Sequence, residues 1–219
     1  MKRRTLSVHT SYQFGFAVLI ITALASQFIY GGIAAGGFTL GYIALFFSYF
    51  TILSNIFVAI VLYKGAQAGL KKKKLPSRIE WLRGFAVFCI ATTGIIYTFF
   101  LRGPAGFTHV ENVLPWTNLV FHSIMPVVMA LDWVFFPPKH VVRWTAIIYW
   151  IMLAAVYALY AEALGRVSDI YPYFFLDPTK LNGYAGVARA CVSFIPFLLV
   201  IGGIIVLANK IRTRKRAAP

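Results

Sequence analysis

The chain has 219 residues, of which 60% are hydrophobic and only 12% charged, yet it carries a formal net charge of +15. So apolar a composition excludes an ordinary soluble domain. The basic excess, which in a soluble protein would suggest nucleic acid, has a simpler source in membrane topology, and no nucleic-acid partner is expected.

Six apolar runs reach or exceed the roughly 18 residues that suggest a bilayer-spanning helix. They predict an all-α integral membrane protein, a single domain over residues 1–219 built as a six-helix bundle. The first run covers residues 14–35 and follows Lys2, Arg3 and Arg4. Ala23-Leu24-Ala25 looks like a small-residue cleavage site, but the apolar run continues past it, beyond the about 7–15 residues of a signal. An uncleaved first helix is expected.

The second run, residues 42–63, contains FFSYFTILSNIF. Ser48, Thr51 and Asn55 are spaced i, i+3, i+7, one stripe of a continuous helix. A basic connection follows, with lysines at 71–74 that act as an orientation signal and touch anionic lipid. The third run covers residues 82–101. The fourth, residues 114–136, places Asn118 and His122 at i, i+4, with Met125, Met129 and Asp132 extending that side and Pro126 expected to bend the helix. Asp132 lies ten residues from His122, roughly 15 Å of helical rise. It is therefore assigned to pairing with Lys139, Arg143 or Arg83. Carboxylates that could orient His122 are Glu111 and Asp177. The fifth and sixth runs cover residues 141–163 and 186–208. Between them YPYFFLDP, an aromatic and proline-flanked loop, is expected to fold back over the mouth of the bundle.

Lysine and arginine alternate steeply along this order. Segments on one side hold 17 and those on the other side hold 4. The positive-inside rule places both termini in the cytoplasm, in a cell membrane crossed several times. The second and fourth helices then run in the same direction. Thr51 and His122 each fall roughly 12–14 Å below the outer end of their helices, so they can share one level. Cys89 and Cys191 offer neither a metal spacing nor a disulfide framework, and no metal or cofactor is expected.

Each polar residue also has a structural explanation. Serine and threonine in membrane helices commonly bond the carbonyl one turn back or join neighbouring helices. A membrane histidine can be a packing residue, and Asn55 and Asn118 can bridge helices. Trp144, Tyr149 and Trp150 read as interfacial anchors or packing.

YFTILSN in the second helix, FHSIMPVVMALDWVFFP in the fourth and YPYFFLD before the sixth resemble the androgen-induced gene family, of which this chain looks like a bacterial-type relative. Animal members are multi-pass membrane hydrolases of fatty acid esters of hydroxy fatty acids. The resemblance implies Thr51 as nucleophile and His122 as base, with membrane lipid and a long-chain acyl ester as partners. The chemistry is coherent: a threonine hydroxyl needs a base within hydrogen-bond reach. The oxyanion of an acyl intermediate needs donors, for which Ser54, Asn55 and Asn118 are available, with Ser48 as a further lining residue. Three other classes stay open. They are a small-solute or ion transporter or channel, a haem electron carrier, and a structural membrane protein. A haem carrier would need two deep histidines, and only His122 lies deep.

Overall fold

A computed structural model describes residues 7–102, 113–138 and 140–217. Among these the chain is helical, and no strand is present. Glu111 and Lys139 lie outside the described residues. The helices are α1 (Val8–Ala34), α2 (Leu40–Phe46), α3 (Phe50–Leu70), α4 (Ser77–Ile96), α5 (Pro115–Leu119), α6 (Met125–Phe135), α7 (Thr145–Ser168) and α8 (Tyr184–Ala217). A π-helical turn, Tyr97–Leu101, prolongs α4, and a second, Val120–Ile124, joins α5 to α6. Among the described residues, six helices or helix runs are long and apolar enough to cross a membrane. Their outward faces carry exposed Leu, Ile, Val and Phe, as expected where the surrounding solvent is lipid.

Apolar windows locate these spans but not their ends. α1 begins six residues before the predicted run because the Ser7 hydroxyl accepts the Thr10 N–H and caps the helix. α8 extends to Ala217, past the apolar window into the basic tail.

The larger departure is in the second predicted helix, which is broken at residues 47–49. Thr39 caps α2, and Tyr49, in an extended conformation, precedes α3. No glycine or proline marks the break. Instead, tyrosine hydroxyls supply the missing backbone partners. Tyr157 donates to the Ser48 carbonyl at 2.9 Å and accepts the Phe50 N–H at 3.2 Å. Tyr173 accepts the Thr51 N–H at 3.2 Å. An unsatisfied backbone group in hydrocarbon costs several kcal/mol, so a break at this depth requires such substitutes.

The core runs through α1, α3, α4 and α6 and is filled by Ile20, Leu62, Phe88, Met125, Met129 and Trp133. Small residues set the helix spacing. Gly94 lies against Pro126 and the His122 carbonyl, where a β-carbon would come within 2.8 Å of the proline ring. That close approach brings the π turn carrying His122 against α4.

At the opposite end of the same rod, Asp132 is fully buried. Its carboxylate accepts from Arg83 Nε at 2.6 Å and lies 2.9 Å from His9 Nε2. Arg83 also donates to the carbonyls of Asp132 and Phe136. Of the expected partners Arg83 is therefore the one found, and His9, stacked on Phe136, completes the cluster. This network ties α1, α4 and α6 together and fixes the rod that carries His122.

Candidate active site at the α2–α3 break

Thr51 occupies the first turn of α3, immediately after the break, rather than the middle of a continuous helix. His122 lies at the centre of the π turn between α5 and α6. The turn has a local cause. Pro126 has no N–H to bond the His122 carbonyl four residues back, and the Met125 N–H reaches the Val120 carbonyl instead. The extra residue rotates the histidine relative to a regular helix, and such π turns are frequent at functional sites.

Thr51 Oγ1 and His122 Nε2 are 3.3 Å apart. The other ring nitrogen, Nδ1, donates to the Asn118 carbonyl at 3.1 Å. A carbonyl can only accept, so the neutral ring carries its proton on Nδ1 and presents a bare Nε2 to the threonine hydroxyl. The Tyr97 ring stacks on the imidazole with centroids 4.0 Å apart, and Asn118 Nδ2 holds the Tyr97 hydroxyl at 2.7 Å. One asparagine thus orients the histidine twice, through its carbonyl and through the stacked tyrosine.

Tyr173 supplies the third group at the threonine. Its hydroxyl lies 3.3 Å from Thr51 Oγ1, in addition to accepting the Thr51 N–H. With the threonine proton directed at His122, the tyrosine donates to Oγ1. Tyr173 reaches this position because the 171–177 loop folds inward, as expected for the bundle mouth. Its short 3₁₀ turn, Phe174–Leu176, buries Leu176 against Ala161 and Val187. Burial pushes the Tyr173 hydroxyl up from 10.0 to about 12, so it remains a donor.

The other predicted residues are placed differently. Ser54 donates to the Thr51 carbonyl and pairs with Thr93 of α4. Asn55 Nδ2 donates to the same carbonyl, and its Oδ1 has no hydrogen-bond partner among the described residues. Asn118 has its amide committed to Tyr97. Ser54 and Asn55 brace the Thr51 carbonyl, and Asn118 braces the Tyr97 ring that stacks on His122. Ser48 lies outside the stripe, because the break precedes α3. It bonds the Ala44 carbonyl and the Tyr160 hydroxyl. Asp177 does not orient the histidine. It accepts from the Thr179 N–H and hydroxyl and sits 3.7 Å from Lys180, closing its own turn and lying below the usual carboxylate range as a result. The position it was expected to fill is taken by the Asn118 carbonyl.

A cavity of about 700 Å³ opens beside the threonine. Thr51, Thr92, Thr93 and Tyr173 contribute polar groups to a lining that is otherwise mainly apolar, and Glu162 and Arg166 of α7 also border it. Ile195 and Leu198 of α8 line the far wall. The sequence did not single out Tyr97, Tyr157 or Tyr173. Tyrosine in a membrane helix or its flanking loop has the composition of an interfacial anchor. The one usable signal was the density of aromatic residues in YPYFFLDP.

Comparison with family models, with curated proteins and with solved structures finds no match to this chain.

Proposed function

We propose that this chain is an intramembrane hydrolase of long-chain fatty acyl esters in which Thr51 is the nucleophile and His122 its base. The observation that carries the reading is the oriented pair. Thr51 Oγ1 stands 3.3 Å from a histidine nitrogen whose partner nitrogen is tied to a backbone carbonyl. That separation is slightly longer than a tight catalytic hydrogen bond, as is common before substrate binds.

The chemistry follows from the atoms present. His122 Nε2 takes the Thr51 hydroxyl proton as Oγ1 bonds the ester carbonyl carbon. Negative charge develops on the carbonyl oxygen, and the Tyr173 hydroxyl, which no longer donates to Oγ1 once that atom bonds carbon, turns its proton to it near the positive N-terminal end of α3. Collapse expels the alkoxy oxygen, which takes the proton from Nε2. Water then repeats the sequence on the acyl-threonine, releasing the fatty acid and restoring the hydroxyl. The apolar cavity accepts the acyl chain. The resemblance to the androgen-induced gene family points to the same pair, and its substrate, a fatty acid ester of a hydroxy fatty acid, is one ester to assay.

The charge pattern supports a multi-pass arrangement in the cell membrane with both termini cytoplasmic. The site then faces the outer half of the bilayer, beneath the 171–177 loop.

One observation favours a second reading, a small-solute or ion transporter. The α2–α3 break is a discontinuous helix of the kind that lines transport sites. A fluorophosphonate probe separates the two. The hydrolase reading expects covalent labelling that is lost in Thr51→Ala, and a transporter expects none.

A further inference from the structure

The catalytic reading leaves Glu162 unused. It lies on α7, a membrane-length helix, and borders the cavity that also holds Thr51. Both carboxylate oxygens are shielded from solvent and have no hydrogen-bond partner among the described residues. Arg166, one helical turn further on, stacks on the Tyr184 ring at 4.4 Å and does not hydrogen-bond the carboxylate. Glu162 follows Tyr157 by five residues, roughly 7.5 Å along the helix. Tyr157 is bonded at the α2–α3 break, so Glu162 lies toward the Arg166 end of the cavity. Exposed Leu159 and Val192 form part of the cavity lining, where an apolar chain can enter between α7 and α8.

A carboxylate whose two oxygens lack hydrogen-bond partners in a mainly apolar cavity, with the Arg166 guanidinium in the same lining but not bonded to it, is strongly disfavoured unless a ligand supplies donors. We propose that Glu162 is the head-group anchor of this cavity, and that its ligand is a single-chain amphiphile with an uncharged, hydroxyl-bearing head. Hydroxyls donate to both carboxylate oxygens while the chain extends along the apolar wall toward Thr51. An ammonium head would also donate, but it would enter beside the Arg166 guanidinium. An acidic head could pair with Arg166, but it brings a like charge to Glu162 and leaves both of its oxygens without donors. The site therefore favours a glyceryl-type monoester over an ester bearing a free carboxylate. This narrows the substrate class of the proposed hydrolase, but it requires binding alone.

The test uses the full chain in phosphatidylcholine nanodiscs and three ligands with matched hexadecyl chains. These are a glyceryl ether, which cannot be hydrolysed, hexadecylammonium and palmitate. The parent should bind the glyceryl ether about tenfold more tightly than either of the others. Glu162→Ala should abolish that preference, and Glu162→Gln, which retains an acceptor oxygen and almost the same shape, should keep part of it. Melting temperature without ligand identifies any variant that has lost its fold. Because the ether cannot be hydrolysed, its binding is read independently of turnover, which separates this proposal from the catalytic one. Equal binding of the three ligands by the parent, tighter binding of the ammonium or the acid, or an unchanged preference in folded Glu162→Ala would each overturn it.

Discussion

The Tyr173 hydroxyl accepts the backbone N–H of Thr51 at 3.2 Å and lies 3.3 Å from its side-chain oxygen, across 122 residues of sequence. A single phenol thus replaces a backbone bond lost at the helix break and stands beside the proposed reacting atom. Tyr173→Phe removes both bonds while keeping the ring. It should lower ester hydrolysis by about a hundredfold, the usual cost of one oxyanion donor. The thermal stability of the variant in detergent must be measured alongside. Full activity in the folded variant would remove Tyr173 from the mechanism.

The same phenol makes a statement about pH. Burial raises its value from 10.0 to about 12. The neutral form is favoured by folding, so its contribution is present below pH 10 and is lost as pH rises toward 12. Parent and Tyr173→Phe should therefore show the same pH profile of stability up to about pH 9, with only the parent gaining an additional loss of stability above 10. Indistinguishable alkaline limbs would show that the hydroxyl is not held as described.

Asp132 and Arg83 form a buried pair whose members are both almost completely shielded. Removing one partner strands the other, and Asp132→Ala should cost about 3–5 kcal/mol of stability. The network lies at the far end of the rod from His122 and touches no reacting atom. Asp132→Asn should therefore keep the specific activity of its folded fraction within about tenfold of the parent. A well-folded Asp132→Asn protein that had lost a thousandfold in rate would assign the acid a catalytic role.

Gly165 of α7 faces the Tyr171 ring, and a β-carbon there would overlap it. Gly165→Ala should push the 171–177 loop outward and carry Tyr173 away from Thr51. The expected signature is faster proteolytic cleavage in the loop together with reduced hydrolysis, and overpacking of this kind typically costs about 1–3 kcal/mol. Unchanged proteolysis and activity would mean that the loop tolerates the displacement.

Much of this arrangement could be read from the chain. Six long apolar runs marked the spans, because hydrocarbon admits little else. Thr51 and His122 stood out because polar groups are rare in such runs. The inward fold of the aromatic loop was also foreseeable from YPYFFLDP. The break at 47–49 was not, because its cause lies over 100 residues away in the hydroxyls of Tyr157 and Tyr173. For the same reason Ser48 left the predicted stripe. Asp177 was a natural choice to orient His122, being a carboxylate in the right loop. The nearer Asn118 carbonyl, one turn back on the same helix, took that place, and backbone acceptors leave no trace in residue identity.

The proposed membrane orientation rests on the excess of lysine and arginine in alternate segments. In a background lacking Cys89 and Cys191, a cysteine placed at Lys73 should resist an impermeant thiol reagent in intact cells, and one placed at Thr179 should react. The reverse pattern would invert the bundle and move the site to the inner leaflet.

The pairing of Thr51 with His122 is tested most directly by hydrolysis of a long-chain acyl ester by four folded proteins. They are the parent, Thr51→Ala, His122→Ala and the double variant. Groups that act in one step are not additive. Both single variants should fall to the same low floor as the double variant, and Thr51→Ser, which keeps a hydroxyl, should retain part of the parent rate. Hydrolysis by folded Thr51→Ala and His122→Ala at the parent rate would contradict the mechanism and leave the histidine as a packing or pore residue.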